Sequence, residues 1–567
     1  MFSCIKYYSF FILFNFLIKI KSLSNPDNLL DETKIEASCY YIKTTGKYKV
    51  VLNKYDIEAA AYATYIPSYE TKGWDFLTLS SYDGIDDKYP DEVKNYAMGY
   101  LEGVLTYRRI YPSYYNLNNY KYYLNKGVMP NSTYEFFQRN LQFMKNMTSK
   151  YKDKDPYWHE VNNLYMQMRG LHEGYNSMAP IEEKIDLVHF QTVISLGDVD
   201  EIGNWKKENR PDYSKMSTEE LMQYIELRSH CSAFMKVADD LSDVWFGHNT
   251  WTTYNKLIRI YKEYKYVPNS AFPIKSKTIT MSSYPAAVNS QDDFYITDAN
   301  LYICETTNHV MDLNLFDLLD PNTLMCWMRT MVANRLTDDS YSWTQIFSKY
   351  NSGTYNNQFQ ILDLKLIDTV NKKIYPGAFY IVEQLPGSCD AMDVTDHLKK
   401  GYWPSYNTPF IRAVREKSGV IDAVIQNPNL TVTQDYDTCA RAKIFRREQT
   451  KVKDIETYKY LIRYNDYLND EFSDGKPNLS IAGRNDLADK EASSCYGATD
   501  AKFASINEIK NTNKKVVHII SGPTTSHQDP FSWSKAYCKN NDPIRFKVIG
   551  QVDEYNFDWI DYELTLW

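Results

Sequence analysis

Cys231 and His248 sit at opposite ends of two apolar, β-prone runs, CSAFMKVA and VWFGHNTW, which the turn-forming cluster DDLSD separates. An antiparallel hairpin built from such runs brings its first and last residues to one end of a sheet. A thiol there can serve as a nucleophile, and a cut immediately before Cys231 would place a free α-amino group on the same residue. Reference pKa values of about 7.7 to 8.0 for the amine and about 8.5 for the thiol permit proton exchange near neutrality. The thiolate would attack a carbonyl, give a thioester and be regenerated by water, with the amine as base. Before the cut, the same thiol could attack the carbonyl of His230 and release the preceding peptide. His248 could orient or polarise the reacting groups. Taken alone, both residues more often fill a buried structural role.

The elements that would position them read as follows. Apolar residues at Val93, Tyr96, Ala97, Tyr100, Leu101, Val104 and Leu105, then at Trp158, Val161, Leu164, Tyr165, Met168 and Leu171, form the stripes of two amphipathic helices. Asn204 to Thr218 is polar, contains Pro211 and lacks periodicity, so it reads as an exposed linker. After the hairpin, Tyr254, Leu257, Ile258, Tyr261 and Tyr264 fit one helical face, with Thr252 and Thr253 as caps. KTITMSS, DDFYIT, LYICETT, FQILDLKLI and GAFYIVEQL predict strands, and LMCWMRTMVANRL a helix between them.

Lys6 followed by an apolar run from Tyr7 to Ile18, then Lys19, Lys21 and small polar residues, has the pattern of a signal peptide over residues 1–22. The run is too short for a bilayer, which takes about twenty residues, and no later segment approaches that length. The expected compartment is secreted or lysosomal. Asn-x-Ser/Thr triplets at Asn131, Asn146, Asn429 and Asn478 suit that route as glycosylation sites.

Across 567 residues, 43% hydrophobic and 24% charged composition is that of a folded globular chain, read here as one ordered catalytic body. A net charge of −8 without a long Lys/Arg cluster excludes the footprint of a nucleic-acid binder. No G-x-S-x-G elbow is present. His159-Glu160 and His172-Glu173 lack the second His of H-E-x-x-H, and P-loop or dinucleotide glycine motifs are absent. No cofactor or metal is expected. Of nine cysteines, loss of the leader removes Cys4, and a free Cys231 leaves an odd number, so another thiol stays unpaired or bridges chains. A Cys495–Cys538 disulfide is the expected pair.

CSAFMKVADDLSDVWFGHNTW followed by TYNKLIRIYKEY resembles the phospholipase B-like family at the start of its catalytic chain. NYAMGYLEGVLT, GLHEGY, SYPAAVNSQDDFYIT, ETTN, NSGTYNNQF and SGPTTSHQDPFSWS extend the resemblance over nearly the whole chain. It implies an α+β fold, an αββα sandwich of the N-terminal-nucleophile hydrolase type. A helix-rich portion, residues 23–230, would pack on a catalytic portion, 231–567, released by a cut between His230 and Cys231. The cleaved pieces would stay associated, and a homodimer is left open. The HNTW match carries site character onto His248, Asn249 and Trp251. Asn356 or Asn357 of NSGTYNNQ would donate to the oxyanion, with Thr306 and Asn308 of ETTN beside the substrate. The implied activity is deacylation of glycerophospholipids. The same machinery suits amides such as N-acylated lipids or peptides, and a glycoprotein that binds lipid without turnover is the reading from another class.

Overall fold

The apolar β-prone runs pair into two sheets. The structure is a computed structural model that describes residues 32–84, 86–121, 127–228, 231–269, 271–538 and 548–567. The expected leader, Cys4 and His230 lie outside those residues.

Eleven strands among the described residues form the larger sheet, in the spatial order Ser388–Asp393, Phe379–Leu385, Asn357–Asp363, Leu301–Thr307, Phe294–Thr297, Thr278–Ser283, Ile260–Lys265, Asp75–Ser81, Ala61–Ile66, Ile35–Ile42 and Lys47–Leu52. The smaller sheet runs Tyr402–Ser405, Ser232–Val237, Val244–Asn249, Asp500–Ser505, Val516–Ser521 and Ile560–Glu563. The chain before Cys231 gives four strands to the larger sheet, joined to the later part where Asp75–Ser81 pairs in parallel with Ile260–Lys265.

That central strand shows how the layers stack. Tyr261 packs on Tyr562 of the smaller sheet with ring centroids 4.9 Å apart, and Glu263 accepts the Tyr562 hydroxyl at 2.7 Å. The alternate residues Lys262 and Tyr264 turn the other way, to Glu102 on the helix Asp91–Lys121, at 2.8 and 2.5 Å. On its far side the smaller sheet offers Phe234, Trp245 and Phe503 to Phe445, Tyr458 and Ile462 of the helices Ala440–Glu448 and Ile455–Ile462. The fold is α+β, with helices outside both sheets.

Both predicted amphipathic helices form, as Asp91–Lys121 and Pro156–Met178. Asp155 caps the second by accepting the Tyr157 N–H at 2.9 Å. The two helices meet backbone to backbone. A Cβ added at Gly99, Gly103, Gly170 or Gly174 would come within 1.9, 2.3, 2.1 or 2.2 Å of a carbonyl oxygen of the facing helix. Glycine is required there by the close approach.

The hairpin, the five strands and the helix at Cys326–Leu336 form close to where the sequence places them. The helix expected over Tyr254–Tyr264 does not. A 3-10 turn, Tyr254–Lys256, leads into the strand Ile260–Lys265, which is buried on both faces. Lys262 and Glu263 are fully buried in ion-pairing and hydrogen-bonding partners, so they do not mark a solvent-facing side. Residues 207–215 of the expected linker are short turns without a buried residue, and a helix, Thr218–Glu226, follows with a Ser217/Glu220 capping box. Cys495 and Cys538 are joined by a disulfide.

Candidate active site

Cys231 immediately precedes the smaller-sheet strand Ser232–Val237, and hairpin register puts His248 opposite Ala233 and Asn249 opposite Ser232. The thiol and the imidazole therefore share one end of the sheet. Cys231 has φ of +86°, a left-handed value that costs a non-glycine residue of order 1 kcal/mol or more. Arg441 holds it there: Nη1 donates to the Cys231 carbonyl at 2.8 Å, and Nη2 donates to Asn407 Oδ1 at 2.7 Å. The guanidinium lies over the Trp251 ring, 4.6 Å from its centroid. Asn407 is itself left-handed, with φ of +71°, and its amide donates to the Thr307 carbonyl at 2.8 Å.

The larger sheet supplies a third group. Glu305 Oε1 accepts from the Cys231 thiol at 3.7 Å and lies 2.8 Å from the Tyr355 hydroxyl. Burial, then the neighbouring Asp293, pushes the Glu305 carboxyl well above the usual range. Burial, then Glu305, pushes the Cys231 thiol up as well. Burial and then Lys502 hold His248 well below its ordinary value, so the ring is neutral. Neither of its nitrogens makes a well-aligned hydrogen bond among the described residues, although the Glu305 backbone comes close enough to push its value partly back up. In this intact chain the thiol is therefore protonated.

Beneath these groups lies a buried ionic cluster. Asp292 accepts from Arg259 at 2.6 Å and Lys502 at 2.8 Å, and both cations also reach Asp500, at 2.7 and 2.9 Å. Two carboxylates against two cations leave no net charge, and the cluster ties strands of both sheets together behind the thiol.

A narrow cavity reaches Cys231. Its walls include Leu196, Gly197, Asp200, Trp251, Lys256 and Tyr355. Lys256 makes no hydrogen bond or ion pair with the described residues, and burial pulls its ammonium down to about 8, partly opposed by Cys231. Three of the lining residues, Leu196, Gly197 and Asp200, belong to the helix Leu196–Ile202, which therefore covers the thiol.

The other expected site residues separate into groups. Asn249 is a brace: Oδ1 accepts from Ser232 N–H at 3.2 Å and Trp251 Nε1 at 2.9 Å, while Nδ2 donates to the Ile462 and Ile481 carbonyls. Asn357, with its amide oriented to satisfy its neighbours, donates to Glu305 Oε2 at 3.0 Å. Asn356 donates instead to Glu201 Oε1 at 2.8 Å and to the Gly353 carbonyl, so the covering stretch occupies it. Thr306 pairs with Ser405 Oγ at 2.6 Å. Asn308 lines an adjacent cavity with Tyr213, Tyr224 and Arg228, and its amide meets no partner among the described residues. Asn131, Asn146 and Asn429 are exposed, whereas Asn478 is half-buried and donates to Glu226.

Sequence reasoning missed Glu305, Lys256, Asn407, Arg441 and Asp292. Glu305 and Asp292 lie inside the quoted ETTN and SQDD stretches, so their neighbourhood was marked. Nothing in the sequence marked Asn407 or Arg441.

Comparison with known proteins decides the family. The Phospholipase B family profile matches residues 61–562. The chain belongs to the phospholipase B family. It is 34% identical to bovine Phospholipase B-like 1 over 94% of this chain and 93% of that protein. The human Phospholipase B-like 1 is also 34% identical, over 90% of this chain and 88% of its own. Phospholipase B-like protein B of Dictyostelium discoideum is 33% identical, over 87% and 83%. No helix among the described residues of this family member is long and apolar enough to cross a membrane.

Proposed function

We propose that the chain is an acyl hydrolase of the N-terminal-nucleophile type, in which Cys231 is the nucleophile and a cut between His230 and Cys231 activates it. The observation that carries the reading is the strained Cys231 backbone at the start of a smaller-sheet strand, clamped by Arg441 and covered by the chain that precedes it. Cutting there releases the strain, frees the α-amine and lets the cover move. The layering of helices around two facing sheets agrees with an αββα sandwich.

In the reaction, the thiol proton passes to the α-amine and sulfur attacks the ester carbonyl carbon. The alcohol leaves with the proton from the ammonium. Water, deprotonated by the amine, attacks the thioester and releases the fatty acid and the thiol. The neutral His248 lines the thiol, Trp251 and Asn249 set the strand end, and Thr306 shapes the wall. Asn356 and Asn357 are the donors for the oxyanion, Asn356 once the cover frees it from Glu201; such a donor contributes about 2.7 to 4 kcal/mol. Asn308 contacts the substrate farther out. The names of the relatives favour a phospholipid ester as substrate, and the leader pattern of residues 1–22 favours a secreted or lysosomal setting.

N-terminal sequencing and intact mass of the purified protein, before and after mild acid incubation, test the reading. A new N-terminus at Cys231 is expected, together with release of fatty acid from phospholipid vesicles. Cys231→Ala should remain uncut and inactive. Normal cutting of that variant would assign the cut to another protease, and turnover by it would overturn the nucleophile.

A further inference from the structure

Three side chains around the thiol come from positions too far apart in sequence to form a ligand motif. Cys231 precedes one smaller-sheet strand, His248 lies on its hairpin partner and Glu305 on the larger sheet. Their donor atoms lie within 4.8 Å of one another, and the sulfur and carboxylate oxygen are 3.7 Å apart. All three side chains are buried. Zn²⁺ takes thiolate sulfur at about 2.3 Å, imidazole nitrogen at about 2.0 to 2.1 Å and carboxylate oxygen at about 2.0 to 2.2 Å. Tetrahedral ligands at those lengths stand roughly 3.3 to 3.7 Å apart, so only small shifts bring this set onto one ion.

His248 gives the independent sign. An imidazole with no exposure, no side-chain partner and no well-aligned hydrogen bond on either nitrogen is a poorly satisfied buried group. The cavity that ends at Cys231 supplies an entry path.

We propose that Cys231, His248 and Glu305 form a site for a thiophilic divalent cation, best matched by Zn²⁺, which silences the thiol while it is bound. Loading displaces the thiol proton, because the thiolate is the form that binds the metal. After a cut before Cys231, the α-amine and thiolate of one residue close a five-membered chelate ring. Together with His248 and Glu305 they complete four ligands. Binding needs only the geometry on the page, whereas the silencing rests on the nucleophile reading.

Co²⁺ titration of the reduced full-length protein tests the site, because thiolate-bound tetrahedral Co²⁺ gives a near-ultraviolet charge-transfer band and intense visible bands. One equivalent should bind with that signature and be displaced by Zn²⁺. His248→Ala and Glu305→Gln should each weaken binding about 100-fold or more, since loss even of a ligand's supporting partner costs 10- to 100-fold. Cys231→Ser should erase the charge-transfer band; circular dichroism shows that each variant is folded. Absence of the band in the wild-type protein overturns the proposal, as does affinity unchanged in the two variants. Metal binding with these signatures in a protein that never hydrolyses lipid would uphold the site and remove the nucleophile reading alone.

Discussion

Two stretches before Cys231 are built on opposite plans. The helix Pro156–Met178 has thirteen buried residues and presses glycine backbone against the helix Asp91–Lys121. The three short helical elements from Lys207 to Glu226 bury Ile225 alone. They are held by polar links: Lys207 and Arg210 to Asp317, each at 2.8 Å, and Glu226 to Asn478. Close-packed apolar contact resists any displacement, whereas hydrogen bonds and surface ion pairs exchange readily with water. One stretch is scaffold, and the other is a polar cover over the cavity beside the thiol's, which Tyr213, Tyr224 and Arg228 line.

The sharpest way to break this contrast is to add bulk to each region. Gly103→Val drives a side chain into the Leu171 carbonyl, and Gly174→Val into that of Tyr100. Each should lower stability by about 3 kcal/mol or more, because neither backbone can give way. Ser214→Val in the cover should change it by less than about 0.5 kcal/mol. Urea midpoints at fixed pH read both. Equal losses in the two regions would mean that the cover is as tightly packed as the scaffold.

A smaller effect concerns pH. Burial pushes Glu201 and Glu226 up to about 7 from an ordinary 4.5, against the pull of their Asn356 and Asn478 amides and of Lys476 near Glu226. Because these values lie above those of the undocked chain, docking takes up protons. The contribution is complete below about pH 4.5 and is lost as pH rises through about 7. Hydrogen exchange of residues 204–228, corrected for the intrinsic pH dependence, should therefore show protection stronger by a factor of at least about ten at pH 5 than at pH 8. Glu201→Gln should reduce that difference, and Glu201→Gln with Glu226→Gln, which leaves neither group to titrate, should flatten it. Protection that rises with pH would reverse the assignment.

The same contrast explains what was legible in the sequence. Periodicity found the scaffold helices and the hairpin because one face of each meets a core. It failed at Tyr254–Tyr264, where the strand Ile260–Lys265 lies mid-sheet and Lys262 and Glu263 are buried against Glu102 and Tyr562, so no polar face remained to set the period. Cys231 and His248 were legible because a hairpin is local. Glu305 was overlooked beside Thr306 because successive strand residues point to opposite sides, and sequence alone did not fix which side meets the thiol. Arg441 and Asn407 reach Cys231 only through tertiary folding. The covering role of Leu196, Gly197 and Asp200 was hidden too, because their approach to the thiol is tertiary.

The gentlest probe of the cover is a sugar. Asn478 has the acceptor triplet, yet its amide donates to Glu226 on the cover and its side chain is half-buried, with Ser480 fully buried beneath it. A glycan attached there would replace an amide hydrogen and force the Glu226 helix end away. Asn131, Asn146 and Asn429 carry no such conflict, since each is exposed. Peptide mapping of protein from a glycosylating host should find sugar at these three and little at Asn478 while the cover is docked. Asn478→Gln removes one hydrogen bond and should loosen the cover by about 1 kcal/mol, seen as faster exchange at residues 218–228 with the scaffold helices unchanged. Full occupancy of Asn478 in protein whose cover still resists exchange would show that Glu226 is not what holds it down.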